Sequence, residues 1–212
     1  MPTAIVEKTL TLTPVPEIMI CSPLADHPIE QLPQIISEPF KTPRPDDDDI
    51  DDDGHHGVDF GYWSFDGKVI IGMEARAALE GTVVGLGVNK YPYGEMVIIE
   101  TPYDRIPADF RVSQNIPEGQ SLYTLYAHLQ NPVRFTVGDF VSCGQRIGEA
   151  GRTGMSSGPH LHVETRYGAP GTVIGAMAFY TTTATNEEMD NYKLWRNSNG
   201  KFHLVDATEL FR

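Results

Sequence analysis

Residues Pro159–Glu164 read PHLHVE, and the spacing of the two histidines governs how the rest of the chain is read. On a β-strand successive side chains point to opposite faces. His160, His162 and Glu164 then share one face, and Leu161 and Val163 share the other. The apolar pair can enter a core while the two imidazoles project together at one site. Histidine is the commonest metal ligand near neutral pH, because its neutral ring nitrogen coordinates without first losing a charge. By itself, HxH reads at least as well as two half-buried histidines on an ordinary strand.

Outward from this strand, the chain from about Asp59 alternates short apolar runs with glycines. Strands are predicted at Lys68–Ile71 (KVII), Gly81–Gly87 (GTVVGLG), Glu95–Thr101 (EMVIIET), Ser121–Leu129 (SLYTLYAHL), Asp139–Gly148 (DFVSCGQRIG) and His160–Arg166 (HLHVETR), with Thr172–Tyr180 a further candidate. Glycine turns at close intervals and few long helical patterns indicate a mainly β fold, an antiparallel sandwich or barrel-like sheet. Nine of the 16 prolines fall in the first 45 residues. Proline fixes φ and removes a donor, so residues 1–45 read as an extended arm. Within it, Ile29, Leu32, Ile35 and Ile36 have helical spacing, which predicts a short helix packed on the main domain. An acidic loop is expected at 46–54, the main domain at 55–185 and a C-terminal extension at 186–212, with a hairpin around Asn199-Gly200.

The 212 residues suit one domain with extensions, and 40% hydrophobic content is enough for a core. A net charge of -13 argues against a nucleic-acid partner, since phosphate binding needs clustered Lys and Arg. No run approaches the ~18 apolar residues of a membrane span. Residues 1–20 lack a basic n-region and a continuous h-region, so no signal peptide is read there. Either the protein is not exported by that route, or Met1 lies downstream of a removed signal. Cys21 and Cys143 are a disulfide in an oxidising compartment or two free thiols, and the absence of C-x-x-C argues against a thiolate metal site.

Two further stretches carry histidines. His55–Asp59 reads HHGVD, where a histidine and a carboxylate four apart converge on one ion if the glycine allows a tight turn. His128 ends the apolar strand in LYAHLQ. Each alone reads as an ordinary turn or edge histidine. The seven aspartates in 46–53 include Asp49, Asp51, Asp53 and Gly54, which open an EF-hand frame. Its twelfth position is Phe60 rather than glutamate, so the default is a solvated acidic loop that attracts cationic groups. The loop GRTGMSSGP (Gly151–Pro159) lacks the lysine of a phosphate cradle. Its glycines are expected to let the backbone lie close to an extended peptide and to aim His160.

The order HHGVD, then YAHL, then VGDFVSCGQRIGEAGRTGMSSGPHLHVE (Val137–Glu164) resembles the lysostaphin-like zinc endopeptidases, the LytM-type peptidoglycan hydrolases with a duplicated hybrid motif fold. The resemblance covers roughly residues 55–166. It implies one zinc per chain, held by His55, Asp59 and His162, and catalytic, non-ligand roles for His128 and His160. Two histidines and an aspartate leave a tetrahedral zinc one open position, the pattern of a catalytic site. The family's H-x-G-V-D pattern, laid on this sequence, implies His55 rather than His56 as the ligand. No HExxH helix supplies a glutamate base, so histidines must take that role. The implied substrate is a cross-bridge or stem peptide of peptidoglycan, outside the cytoplasm: extracellular, periplasmic or wall-associated. A monomer is expected. The rival reading is a non-catalytic relative that binds cell wall or activates another hydrolase. Residues 61–76 and 101–120 are longer than the resemblance leads one to expect and could wall the groove, and Tyr62 and Trp63 are substrate-contact candidates or else core or rim aromatics.

Overall fold

The computed structural model describes residues 18–43, 54–131, 134–179, 183–196 and 201–212. The first 17 residues, the acidic run with its EF-hand-like frame and the Asn199-Gly200 turn lie outside them. A 3-10 helix at Ile29–Ile35 leads into β1 (Ile36–Glu38). There follow β2 (Gly57–Phe60), β3 (Glu74–Arg76), β4 (Gly81–Lys90), β5 (Gly94–Thr101) and α1 (Ala108–Ser113). Then come β6 (Ser121–Leu129), β7 (Phe140–Val141), β8 (Arg146–Glu149), β9 (Leu161–Gly168), α2 (Asn186–Arg196), β10 (Phe202–Val205) and a closing 3-10 helix at Ala207–Phe211.

The mainly β, antiparallel fold read from the sequence is the one adopted. One sheet runs in the order β1-β2-β9-β6-β5-β4-β7, and β3 pairs with β8 in a second, two-stranded sheet. β9 lies at the centre. β6 pairs along one of its edges, while β2 and then β10 share the other, β2 against residues 161–164 and β10 against 165–168.

Strand alternation divides the apolar residues between two cores. Leu161 and Val163 of β9, Leu122 and Tyr126 of β6, and Val97 and Ile99 of β5 enter the first, which Ala75 of β3, Ile147 of β8, Leu210 and Phe211 cover. Tyr123, Leu125 and Ala127 of β6 enter the second, closed by Ile174, Met177 and the α2 residues Tyr192 and Trp195. The arm's helix has Pro33 inside it and no side-chain cap. Tertiary burial holds it: Leu32 and Ile35 are fully in the first core, each contributing about 1.5–3 kcal/mol. The arm is further tied down by β1 pairing with β2 and by the Cys21–Cys143 disulfide, Cα atoms 5.7 Å apart.

Several predicted elements differ. Lys68–Ile71 is not a strand. Asp66 and Gly67 both have positive φ and form a tight turn that bridges Phe65 to Lys68, so only Ile70 of KVII is buried. Asp139–Gly148 is broken in two, because Gly144 (φ +76°) closes a turn between β7 and β8 that sends them to different sheets. Thr172–Phe179 runs as irregular chain, its Ile174 and Gly175 amides donating to the Val84 carbonyl. The expected C-terminal hairpin is replaced by a helix followed by a strand on β9. Thr185 and Glu188 form a reciprocal capping box at the start of α2: the Glu188 amide donates to Thr185 Oγ1, and the Thr185 amide to the Glu188 carboxylate. The longer segments are built out as the β3 approach and as a 3-10 turn plus α1.

Candidate metal centre

β2 and β9 pair so that Asp59 lies directly opposite His162 and Gly57 opposite Glu164. Val58 and Phe60 face the first core, which leaves Gly57 and Asp59 on the other face with His162 and Glu164. His55 is fixed just upstream by a backbone bridge to Lys41. His55, Asp59 and His162 each bring one ligand atom to a place where all three lie within 4.8 Å of one another. Asp59 Oδ1 is 2.8 Å from His162 Nδ1 and 3.3 Å from His55 Nε2. The His55 Nδ1–H donates to the Pro39 carbonyl at 3.0 Å, which turns the Nε2 lone pair inward.

Gly57 is needed for room rather than for a turn. It lies within a strand, and a Cβ there would meet the Val163 carbonyl oxygen at 2.5 Å and His162 Nε2 at 2.8 Å. The ring of His162 occupies the space that any other residue would fill. Gly57→Ala is therefore expected to cost about 1–3 kcal/mol by overpacking and to displace the His162 ring. Denaturant unfolding together with metal affinity measures this; an unchanged affinity would show that the ring does not depend on that space.

His128 reaches the site by breaking the strand pattern. Strict alternation along β6 would send it to the face of Leu122 and Tyr126, away from Ala127. Instead its φ is +59°, at an irregularity in the β5–β6 register, and the ring turns toward the site. Its Nδ1–H donates to the Thr153 carbonyl at 2.8 Å. The His160 Nδ1–H likewise donates to the Gly158 carbonyl at 2.9 Å, and its Nε2 lies 3.3 Å from Asp59 Oδ2. The two rings are 4.6 Å apart between centroids. The Gly151–Pro159 loop thus orients both histidines through its carbonyls. Gly151 and Gly154 serve close packing inside the protein, against the backbones of Gln130 and of Pro92 and Gly94; only Gly158 faces open space.

Electrostatics separate the histidines. Burial, with the charges of His162 and His160 adding to it, holds His128 down at about 3, and burial also lowers His160. Both are neutral near pH 7. Burial pulls His162 down too, but the hydrogen bond from its ring to Asp59 and the negative charges of Asp59 and Glu164 outweigh it and push it up to about 9. Burial would raise Asp59, yet His162 and His55 hold its carboxyl well below the usual carboxylate range. Without a metal, then, His162 carries a proton on the Nδ1 that faces Asp59. Two imidazole nitrogens and a carboxylate oxygen, converging and mostly buried, are a donor set suited to zinc.

The site opens on a cleft of about 240 Å³ whose walls include Glu38, Pro92, Met155 and Arg196. Glu38 comes from the arm and Arg196 from α2, and sequence reasoning placed neither there. It also missed Arg166, although alternation along HVETR puts His162, Glu164 and Arg166 on one face. Tyr62 is tied to His27 Nε2 at 2.7 Å and Trp63 is 86% exposed; neither lines the cleft.

A sequence model described as Peptidase family M23 matches residues 53–174. The chain is 37% identical over 79 residues to the peptidoglycan DD-endopeptidase ShyA of Vibrio cholerae, covering 37% of this chain and 17% of that protein. It is 32% identical over 111 residues to lysostaphin of Staphylococcus simulans, covering 52% of this chain and 17% of that one. The chain thus spans less than a fifth of the length of these two relatives. Among solved structures, the catalytic domain of lysostaphin from S. simulans aligns at a TM-score of 0.45 and 26% identity, over 69% of this chain and 90% of that one.

Proposed function

The chain belongs to peptidase family M23, and from that premise we propose that it is a zinc-dependent endopeptidase hydrolysing peptide bonds of bacterial cell-wall peptidoglycan, in a cross-bridge or stem peptide. The observation that carries this reading is the convergence of His55, Asp59 and His162 beneath a cleft that His128 and His160 also enter. On this reading the first three residues are the ligands and the last two the catalytic pair. Bound zinc would polarise the scissile carbonyl and bring the pKa of an attacking water toward ~7.

The chain's own residues do the rest. His128 and His160 are neutral, and each has its Nδ1–H engaged by a carbonyl, so each presents an Nε2 lone pair. That is the state required to accept a proton from water. Once protonated, either ring can donate to the leaving amine or to the developing oxyanion. The sheet and the Gly151–Pro159 loop hold both rings in place, so little reorganisation is needed at the moment of reaction. On this reading the protein acts outside the cytoplasm, where such a substrate lies. Among the described residues, no helix is long and apolar enough to cross a membrane.

Zinc affinity should depend on pH in a definite direction. His162 is raised to about 9 without metal, so below that pH zinc must displace its proton. Affinity should fall as pH falls, by about tenfold per unit from this one group, and level off above about pH 9. Chelator competition between pH 6 and 9 measures the slope; a flat profile would contradict ligation by His162. The function itself is tested by incubating zinc-loaded protein with defined cross-linked muropeptides and sequencing the fragments by mass spectrometry. New termini within a cross-bridge or stem peptide, suppressed by chelator and restored by zinc, are expected. Intact muropeptides would contradict the reading.

A further inference from the structure

Behind His162 lies a charged network that catalysis as described above does not use. Glu164 has no exposed surface, and Arg166 and Tyr93 are almost completely buried. Arg166 Nε donates to Glu164 Oε1 at 2.6 Å and Tyr93 Oη to Glu164 Oε2 at 2.8 Å. Arg166 Nη2 continues to His56 Nδ1 at 2.7 Å, and its guanidinium lies over the Trp195 ring at 5.2 Å. A buried ion pair of this kind is weak evidence for stability, because apolar residues of similar volume often do as well. What distinguishes this pair is its position: Glu164 Oε2 stands 3.6 Å from Nε2 of His162. That distance is too long for a formed hydrogen bond, and His162 Nε2 is buried without another partner. Glu164 therefore acts on it through charge.

The requirement at His162 is specific. Its Nδ1 faces Asp59 and His55, so Nδ1 is the atom available to a metal, and the ring must then keep its remaining proton on Nε2. A carboxylate beside Nε2 favours that tautomer and raises the basicity of the ligating nitrogen. A neutral neighbour would not. We propose that Glu164, held by Arg166 and Tyr93, is a positioning residue for His162, fixing the Nε2–H tautomer and the ring orientation that turn Nδ1 toward Asp59 and His55. His56, the second histidine of HHGVD, then has a place of its own: it anchors the far end of Arg166, behind the site whose front His55 occupies. The backbone register supports the arrangement, since Gly57, which makes room for the ring, is the residue paired with Glu164.

This inference rests on the zinc reading, and the test separates the two. Zinc affinity is measured on the full chain by chelator competition, alongside thermal unfolding of the metal-free protein, for wild type, Glu164→Gln and the double variant Glu164→Gln/Arg166→Met. Glu164→Gln should weaken zinc binding roughly 10–100-fold and lower stability, because the Arg166 charge is left buried and unpaired. The double variant removes that charge as well, so its stability should return toward wild type while its zinc affinity stays weak. If Glu164→Gln does not fold, the double variant carries the comparison alone. A double variant that regains both stability and affinity would reduce Glu164 to a structural residue, and wild-type affinity in Glu164→Gln would overturn the proposal equally. A wild-type protein that takes up no zinc would defeat the functional reading first, and this inference with it.

Discussion

His162→Ala is expected to leave a protein that retains no zinc through dialysis and has no turnover above background. The side chain is almost fully buried, its Nδ1 is 2.8 Å from Asp59, and it is one of only three groups assigned to the metal. Replacing groups that merely orient a ligand typically costs 10–100-fold in affinity, so removing the ligand itself must cost more than ~100-fold. The methyl group of alanine also leaves Asp59 without its principal hydrogen-bond donor inside the site, and an uncompensated buried carboxylate is destabilising. The variant should therefore melt earlier than wild type even without metal. Zinc content by elemental analysis, with a melting curve, decides the matter. Zinc retained at one per chain would remove His162 from the ligand set.

His160→Ala is expected to separate binding from chemistry. It should keep zinc at about the wild-type affinity and lose turnover by ~10²–10⁴-fold, the range associated with a positioned general acid or base. His160 differs from His162 in two respects on which this rests. Its Nε2 approaches Asp59 Oδ2 rather than the Oδ1 that His55 and His162 share, and it stands at the end of the Gly151–Pro159 loop rather than within β9. Because His160 is neutral near pH 7, its loss removes a proton acceptor and not a charge that balances Asp59. If His160→Ala lost the metal as well, the division between ligands and catalytic residues would have to be redrawn.

Much of this was legible in the sequence because it depends on period-two alternation. That rule placed Leu161 and Val163 in a core and His162 and Glu164 on the opposite face, and the register with β2 then puts Asp59 across from His162. Alternation failed at His128, where a left-handed backbone turns the ring to the face that counting assigns to its neighbours. Only the resemblance of the surrounding motifs pointed to it. The role of Gly57 was also misjudged, since a glycine before a strand residue reads as a turn when it in fact clears space for a ring from another strand. Non-local packing of this kind has no signal within a single segment.

The C-terminal region shows the opposite error. Thr185 and Glu188 spell a capping box, a local signal for the helix that follows, and Tyr192 and Trp195 sit one turn apart on its buried face. The Asn-Gly turn signal downstream was given precedence, so a helix that closes the second core and brings Arg196 to the cleft was read as a hairpin. The strand expected at Lys68–Ile71 failed for want of a partner: β-branched residues fit a strand only where a neighbouring strand exists to pair with them.

Diffraction from zinc-loaded crystals on both sides of the zinc absorption edge tests whether one zinc is held by His55, Asp59 and His162 at the floor of the cleft. A single anomalous peak is expected within ~2.0–2.2 Å of His55 Nε2, an Asp59 carboxylate oxygen and His162 Nδ1, with His128 and His160 outside bonding distance. A peak bonded to His160 or His56, or no peak at this site in zinc-loaded protein, would rule out this ligand set.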